Sequence, residues 1–193
     1  MFTVLAVSGS PRKGGNTEIL LKAALEPLAQ AKHRTQTFFL SQKKVAPCRA
    51  CDKCLKKGRC LVKDDFQQLY EMVDSCDALL VGSPVYMRNV SAQLKAVFDR
   101  FHCAHHSQPF RGKLGGALAV GGASNSQGIV LSVIHNFFLS FGMYCVPAKV
   151  NGVSAVAREK AEVQRQPKSL AEARELGDNI LALLSKIKPE ELR

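Results

Sequence analysis

The chain has 193 residues, 46% of them hydrophobic, enough to build a continuous core in one domain of ordinary size without crosslinks. Its 27 lysines and arginines stand against 16 aspartates and glutamates, for a net charge of +11. The basic residues are scattered with no aromatic platform between them, and no apolar run is long enough to span a membrane, which argues against nucleic-acid and membrane partners and for an acidic protein partner. The N-terminal "MFTVLAVSGSPRKGG" has no basic segment ahead of its short apolar run, so the expectation is a cytoplasmic protein whose thiols stay reduced.

In chain order, "TVLAVSG" (3–9) reads as a strand and is followed by a helical pattern through Ile19, Leu20, Ala23, Ala24 and Leu28. "RTQTFFLS" (34–41) reads as a polar edge strand. After a cysteine-rich stretch, Phe66, Leu69, Tyr70 and Val73 mark a helix from Asp65 to about Asp74. "DALLVGS" (77–83) is a strand buried on both faces, and Leu94, Val97, Phe98 and Phe101 define a helix from Ser91 to Phe101. A strand at 114–122, a helix at 128–141 and a strand at 143–150 follow. Residues 154–167 read as a polar, helical connection, and a last helix is expected from Ser169 to Lys188, stopped by Pro189. Five strands alternating with helices predict a doubly wound parallel sheet in three α/β/α layers, with ligands outside the carboxyl ends of the strands.

The loops at that edge carry the chemistry. "SGSPRKGGNT" (8–17) combines close-approach glycines with Ser10, Asn16, Thr17, Arg12 and Lys13 at a helix N-terminus, a pattern suited to a phosphate. It has neither the Gly-Lys-Ser/Thr ending of a Walker loop nor a dinucleotide glycine pattern. "GSPVYMRNVSAQLK" (82–95) offers Pro84, Val85, Tyr86 and Met87 as an apolar and aromatic face, with Asn89 and Ser91 as polar groups, which suits a flat ring with a polar edge. "GGASNSQG" (121–128) supplies Gly121 and Gly122 and can close over the same ring.

"PCRACDKCLKKGRC" (47–60) holds Cys48, Cys51, Cys54 and Cys60 in a C-x₂-C-x₂-C-x₅-C pattern. Three thiols at intervals of three with a fourth just beyond is the way ferredoxin-like segments wrap a [4Fe–4S] cluster, whereas structural zinc more often uses two separated C-x₂-C pairs. Zinc, and an empty or oxidised site, stay open. Arg49, Lys53, Lys56, Lys57 and Arg59 offset thiolate charge. Cys76 and Cys145 are expected to fill core. His102, Cys103, His105 and His106 read as a helix end and surface loop.

Taken together, "GSPRKGGNT", "PCRACDKCLKKGRC" and "GSPVYMRNVSAQLKAVFDR" resemble the flavodoxin-like NAD(P)H-dependent FMN reductase family, and with the cysteines its iron–sulfur flavoprotein branch. The resemblance covers about residues 1–150 and implies a strand order of 2-1-3-4-5 with FMN as cofactor. Carried over, Ser10, Arg12, Asn16 and Thr17 match the phosphate loop. Pro84, Val85, Tyr86, Met87 and Asn89 match the lining of the ring, and Gly121 and Gly122 begin the third flavin loop. The metal ligands are Cys48, Cys51, Cys54 and Cys60.

The expectation is one flavodoxin-like FMN-binding domain over 1–193, with a cysteine-rich insertion at 45–62 and a C-terminal helical region at 154–193. Its activity is an FMN-dependent oxidoreductase that passes electrons between a ferredoxin-like acidic carrier and a small acceptor through FMN and a [4Fe–4S] cluster, with no catalytic side chain, as a homodimer or homotetramer. The alternatives are an NAD(P)H-dependent FMN or quinone reductase without a cluster, and a zinc-bearing nucleic-acid-binding module.

Overall fold

The computed structural model describes residues 1–186 apart from His106 and Ser124; the expected helix end at Ile187, Lys188 and Pro189 lies outside the described residues. Strands β1 (Thr3–Ser8), β2 (Arg34–Phe39), β3 (Ala78–Pro84), β4 (Leu114–Gly121), β5 (Tyr144–Val146) and β6 (Val153–Val156) form one parallel sheet in the order β2-β1-β3-β4-β5, with β6 also paired to β4. The order matches the expectation, and the strand count exceeds it by one.

The extra strand corrects the reading of 154–167 as helical. Leu114–Gly116 of β4 pairs with β5, and Leu118–Gly121 pairs with β6, so the two pieces lie end to end along one edge of β4. Residue 116 faces 146 and residue 118 faces 153, so six residues (147–152) lie between the pieces against the single residue 117 of β4. Pro147 cannot donate to the ladder, and the expected strand over 143–150 stops before it. In β6, Val153 and Ala155 point inward while Ser154 and Val156 are exposed, a two-residue alternation too short to stand out beside the charged segment that follows.

Side chains of the central strands divide by period two. Val4, Ala6, Leu80, Leu118 and Val120 face α1 (Asn16–Gln30) and α6 (Pro167–Leu184). On the other face, Leu5, Val7, Leu79, Val81 and Ala119 pack under α3 (Phe66–Ser75), α4 (Ala92–Arg100) and α5 (Gln127–Ser140). The two clusters are a hydrophobic core split by the sheet, as near-continuous apolar strands require. Helix α6 ends at Leu184, earlier than expected, and among the described residues no helix is long and apolar enough to cross a membrane.

The sheet fixes where the loops go. Segments 9–15, 85–91 and 122–126 leave the carboxyl ends of β1, β3 and β4, and 157–166 leaves β6 at the same end. Between β2 and α3 the chain makes an excursion through the cysteine segment, whose only helix is the five-residue α2 (Lys53–Lys57). None of the residues of α2 is buried, so side-chain contacts elsewhere must hold the excursion.

Candidate functional site

The loop after β1 is tied down at both ends. The Gly9 N–H donates to Gly82 O at 2.8 Å, and the Gly15 N–H to Arg12 O at 3.0 Å. Within it the Ser10 hydroxyl accepts from the Arg12 N–H at 3.1 Å. Gly14 has φ +65°, a conformation that side-chained residues adopt only with strain, and its N–H donates to the buried Glu18 carboxylate at 2.8 Å. The other Glu18 oxygen accepts from Ser41. Gly15 caps α1 without any side-chain hydrogen bond, so the first N–H groups of the helix open on the loop with no intrahelical acceptor.

The facing wall comes from the end of β3. The Val85 N–H donates to Val120 O at 2.7 Å, and Tyr86 and Asn89 exchange N–H to carbonyl bonds at 3.0 Å each. Met87 and Arg88, at the tip of this two-residue turn, have φ of 47° and 60°, as a tight hairpin turn demands. Tyr86 is 40% exposed, and with Pro84 and Val85 it presents an apolar face.

The third wall was not anticipated. The segment after β6 brings Arg158 over Gly122: its Nε–H donates to Gly122 O at 2.8 Å, and a Cβ on Gly122 would lie 3.1 Å from Arg158 Cγ. Arg12 Nη1 donates to Arg158 O at 3.3 Å, and Lys160 reaches the neighbourhood of Gly14. Glu162 holds the turn by accepting the Arg158 and Glu159 N–H groups at 2.7 and 2.9 Å. Those backbone bonds, from Glu159 first and then Arg158, draw its carboxyl below the usual range. Asn16, expected at a phosphate, is occupied instead: its amide donates to Glu159 O at 2.7 Å and its oxygen accepts from the Val163 N–H at 3.2 Å.

These walls enclose a cleft of about 300 Å³. Of the residues expected to hold a cofactor, Ser10, Arg12, Asn16, Thr17, Pro84, Val85, Tyr86 and Gly122 line it, joined by Val120, Ala157 and Arg158. Met87, Asn89 and Gly121 do not. Met87 is 98% exposed on the turn tip, Asn89 faces a neighbouring open cavity, and the Gly121 carbonyl accepts from the Ala157 N–H in the strand ladder. An uncapped helix N-terminus beside two arginines at one end and an apolar, aromatic wall at the other fit a phosphate-bearing flat ring, as FMN is.

The cysteine segment forms a second concavity. Cys48, Cys51, Cys54 and Cys60 all line it, with Arg100, His102 and Cys103 at its back. Ala50 and Asp52 take left-handed φ of 46° and 52°, which winds the chain around the hollow, and Cys48 Sγ accepts from the Ala50 N–H at 3.5 Å. Burial pushes the Cys54 thiol up against the lowering effect of a backbone hydrogen bond, and the neighbouring Cys60, Cys51 and Cys48 add to the rise. Cys103, read from sequence as part of a surface loop, is 2% exposed; burial raises its thiol to about 11. Cys145 goes the other way. Expected in the core, it is exposed on the three-residue β5 at the sheet edge. His106 lies outside the described residues.

The four thiols line one hollow, a donor set that suits an iron–sulfur centre and a zinc centre alike.

Comparison with known proteins shows the family. Residues 2–157 match the model of the NADPH-dependent FMN reductase family. An iron–sulfur flavoprotein of Methanocaldococcus jannaschii is 35% identical over 190 residues, covering 96% of this chain and 98% of that one. Another, of Methanosarcina thermophila, is 40% identical over 145 residues, covering 74% and 76%. Among solved structures, the apo form of an NADH:FMN oxidoreductase superposes with a TM-score of 0.74 at 20% identity, covering 100% of this chain and 95% of that one. An NAD(P)H:quinone oxidoreductase from Methanothermobacter marburgensis gives 0.69 at 19%, covering 93% and 98%. These structural likenesses show the flavodoxin-like fold.

Proposed function

The chain belongs to the NADPH-dependent FMN reductase family and is an FMN-dependent oxidoreductase, and on that footing we propose that it is an iron–sulfur flavoprotein carrying electrons between a ferredoxin-like acidic carrier and a small acceptor. FMN occupies the cleft and a [4Fe–4S] centre is held by Cys48, Cys51, Cys54 and Cys60. The observation that carries the reading is that all four thiols line one hollow in a chain whose strand-end loops form a separate phosphate-and-ring cleft. Helix α4 joins the two. Its N-cap is Ser91, whose hydroxyl donates to Gly9 O at 2.6 Å in the phosphate loop, and it ends at Arg100 in the hollow. Its nine residues set the framework distance on the order of 13 Å.

When bound, FMN accepts or gives electrons in pairs or singly and the cluster handles one at a time, so the two together convert between the two currencies. The protein's residues bind and orient. Arg12, Arg158, Ser10 and the first turn of α1 hold the phosphate, and Pro84, Val85 and Tyr86 wall the ring from water. The Tyr86 and Val85 N–H groups are engaged within the fold, donating to Asn89 O and Val120 O, so they brace the wall rather than meet the ring. The exposed Arg49, Lys53, Lys56, Lys57 and Arg59 form the docking face for an acidic carrier. A cytoplasmic setting, in which clustered thiols stay reduced, fits this reading.

A second reading keeps FMN and takes electrons directly from NAD(P)H. An open cavity of about 470 Å³ lined by Tyr86, Asn89, Gln93 and Lys95 abuts the ring wall and favours it. An anaerobic absorption spectrum with iron, sulfide and zinc analysis decides between the readings, together with reduction rates from ferredoxin and from NADPH. Flavin bands, four irons and fast reduction by ferredoxin are expected. Flavin without iron, reduced rapidly by NADPH, would overturn the first reading in favour of the second.

A further inference from the structure

Arg100 is the largest of the fully buried side chains, 1% exposed in a strongly basic chain whose other cations mostly face solvent. Burying a guanidinium is costly unless every donor is matched. Here all five are. Nε–H donates to Cys60 Sγ at 3.1 Å; Nη1 donates to Ala46 O at 2.9 Å and Asp64 Oδ2 at 2.8 Å; Nη2 donates to Asp64 Oδ1 at 3.1 Å and Val62 O at 3.3 Å. The guanidinium carbon lies 4.5 Å above the Phe66 ring.

The partners fall at the two ends of the cysteine excursion: Ala46 enters it, and Cys60, Val62 and Asp64 leave it. Asp64 completes the neck by accepting the Ala46 N–H at 2.9 Å and the Phe66 N–H at 3.1 Å, and the Gln67 amide donates to Cys60 O and Val62 O at 2.9 Å each. Asp65 adds a tie beside it, its carboxylate accepting the Lys44 N–H at 2.7 Å, but Arg100 is the cation that joins both ends to a cysteine sulfur.

We propose that Arg100 is the positioning residue of the cysteine centre: its fork closes the neck of the excursion so that the four thiols face one hollow before metal arrives, and its Nε–H, bonded to the sulfur of Cys60, favours the reduced state of the bound cluster. The second half rests on the cluster reading above. The physical reason is direct. Reduction adds negative charge to the cluster and its thiolates, and a fixed cation with a hydrogen bond to sulfur stabilises that charge, raising the potential. A lysine keeps the charge but has no planar fork to span Ala46, Asp64 and Cys60.

The two halves are tested separately. In the metal-free, reduced chain, hydrogen exchange is compared among wild type, Arg100→Lys and Arg100→Gln. Exchange in peptides spanning 46–64 is expected to quicken about tenfold or more in both variants, while β1, β3 and β4 keep their protection. Unchanged protection of 46–64 in Arg100→Lys would overturn the clamp. Should Arg100→Gln fail to fold, Arg100→Lys and the wild-type chain still decide. In ¹⁵N-labelled wild type the Arg100 Nε–H is expected to be a slowly exchanging resonance that shifts or broadens on loading with ferrous iron and sulfide, and a resonance indifferent to loading sinks the sulfur bond. Midpoint potentials of loaded protein are expected to fall in the order wild type, Arg100→Lys, Arg100→Gln; equal potentials refute the redox role. A wild-type chain that takes up neither iron nor sulfide overturns the cluster reading and the redox role together, and the exchange experiment still judges the clamp.

Discussion

The flavin cleft and the cysteine hollow are built in opposite ways. The cleft is assembled from the ends of β1, β3, β4 and β6, so its walls are continuations of a buried sheet, with Ser10 and Thr17 buried in its lining. The hollow is lined by an exposed excursion that contributes no buried helix residue and is fastened through Arg100, Asp64 and Gln67. A site made of strand ends is as stable as the core, whereas one made of an excursion is only as stable as its neck. The fold therefore sets a cleft held by the sheet beside a thiol-lined hollow whose shape depends on its neck.

That contrast predicts separable losses. The largest belongs to the hollow: Cys54→Ser is expected to reduce iron and sulfide uptake to near nothing while FMN affinity, followed by flavin fluorescence quenching, stays within about twofold. Joint loss of flavin would show that the two regions are one cooperative unit. Next, Arg12→Ala and Arg158→Ala are each expected to weaken FMN binding roughly tenfold to a hundredfold, the effect of removing one charge-assisted bond, with iron content unchanged. A neutral outcome for Arg158 would remove the third wall from the cleft.

Smaller effects sharpen the comparison. Raising salt from about 0.05 to 0.5 M is expected to slow reduction by an acidic carrier roughly tenfold and to leave NADPH-driven turnover nearly level, since only the former uses the basic face of the excursion. Stopped-flow rates at several ionic strengths measure this. The smallest effect is acid opening of the neck. Burial raises the Asp64 carboxyl, but the Arg100 fork and the Ala46 and Phe66 N–H groups outweigh it, and the net value lies below the ordinary 3.8. The stabilisation is therefore complete above that ordinary value and is lost as pH falls through the depressed one. Exchange protection of 46–64 in the metal-free chain is expected to fade over that acid range ahead of the strand amides.

Much of the cleft could be read from the chain because strand, glycine turn and helix follow one another within a few residues, and local spacing implies local geometry. Long-range partners left no such trace. Asn16 stands in the expected motif, yet its side chain meets Glu159 and Val163 more than 140 residues away, and Arg158 enters the cleft through a strand only four residues long. Arg100 closes a motif noticed for its other members; nothing in that helix says its terminal cation will turn inward to sulfur. Cys103 and Cys145 show the same limit. One follows a helix and is buried, the other sits in an apolar run and is exposed, because edge position and a neighbouring excursion decide burial, and neither is a property of the local pattern.

The broken border strand has a consequence for how molecules of this protein meet. Its pieces are three and four residues long with six residues between them, and the opposite border, β2, opens with Arg34, Thr35, Gln36 and Thr37. Neither margin gives a newcomer a long, flat, apolar row of backbone groups to zip onto. Self-association by sheet extension, the usual first step toward fibrils, is thereby blocked at both flanks.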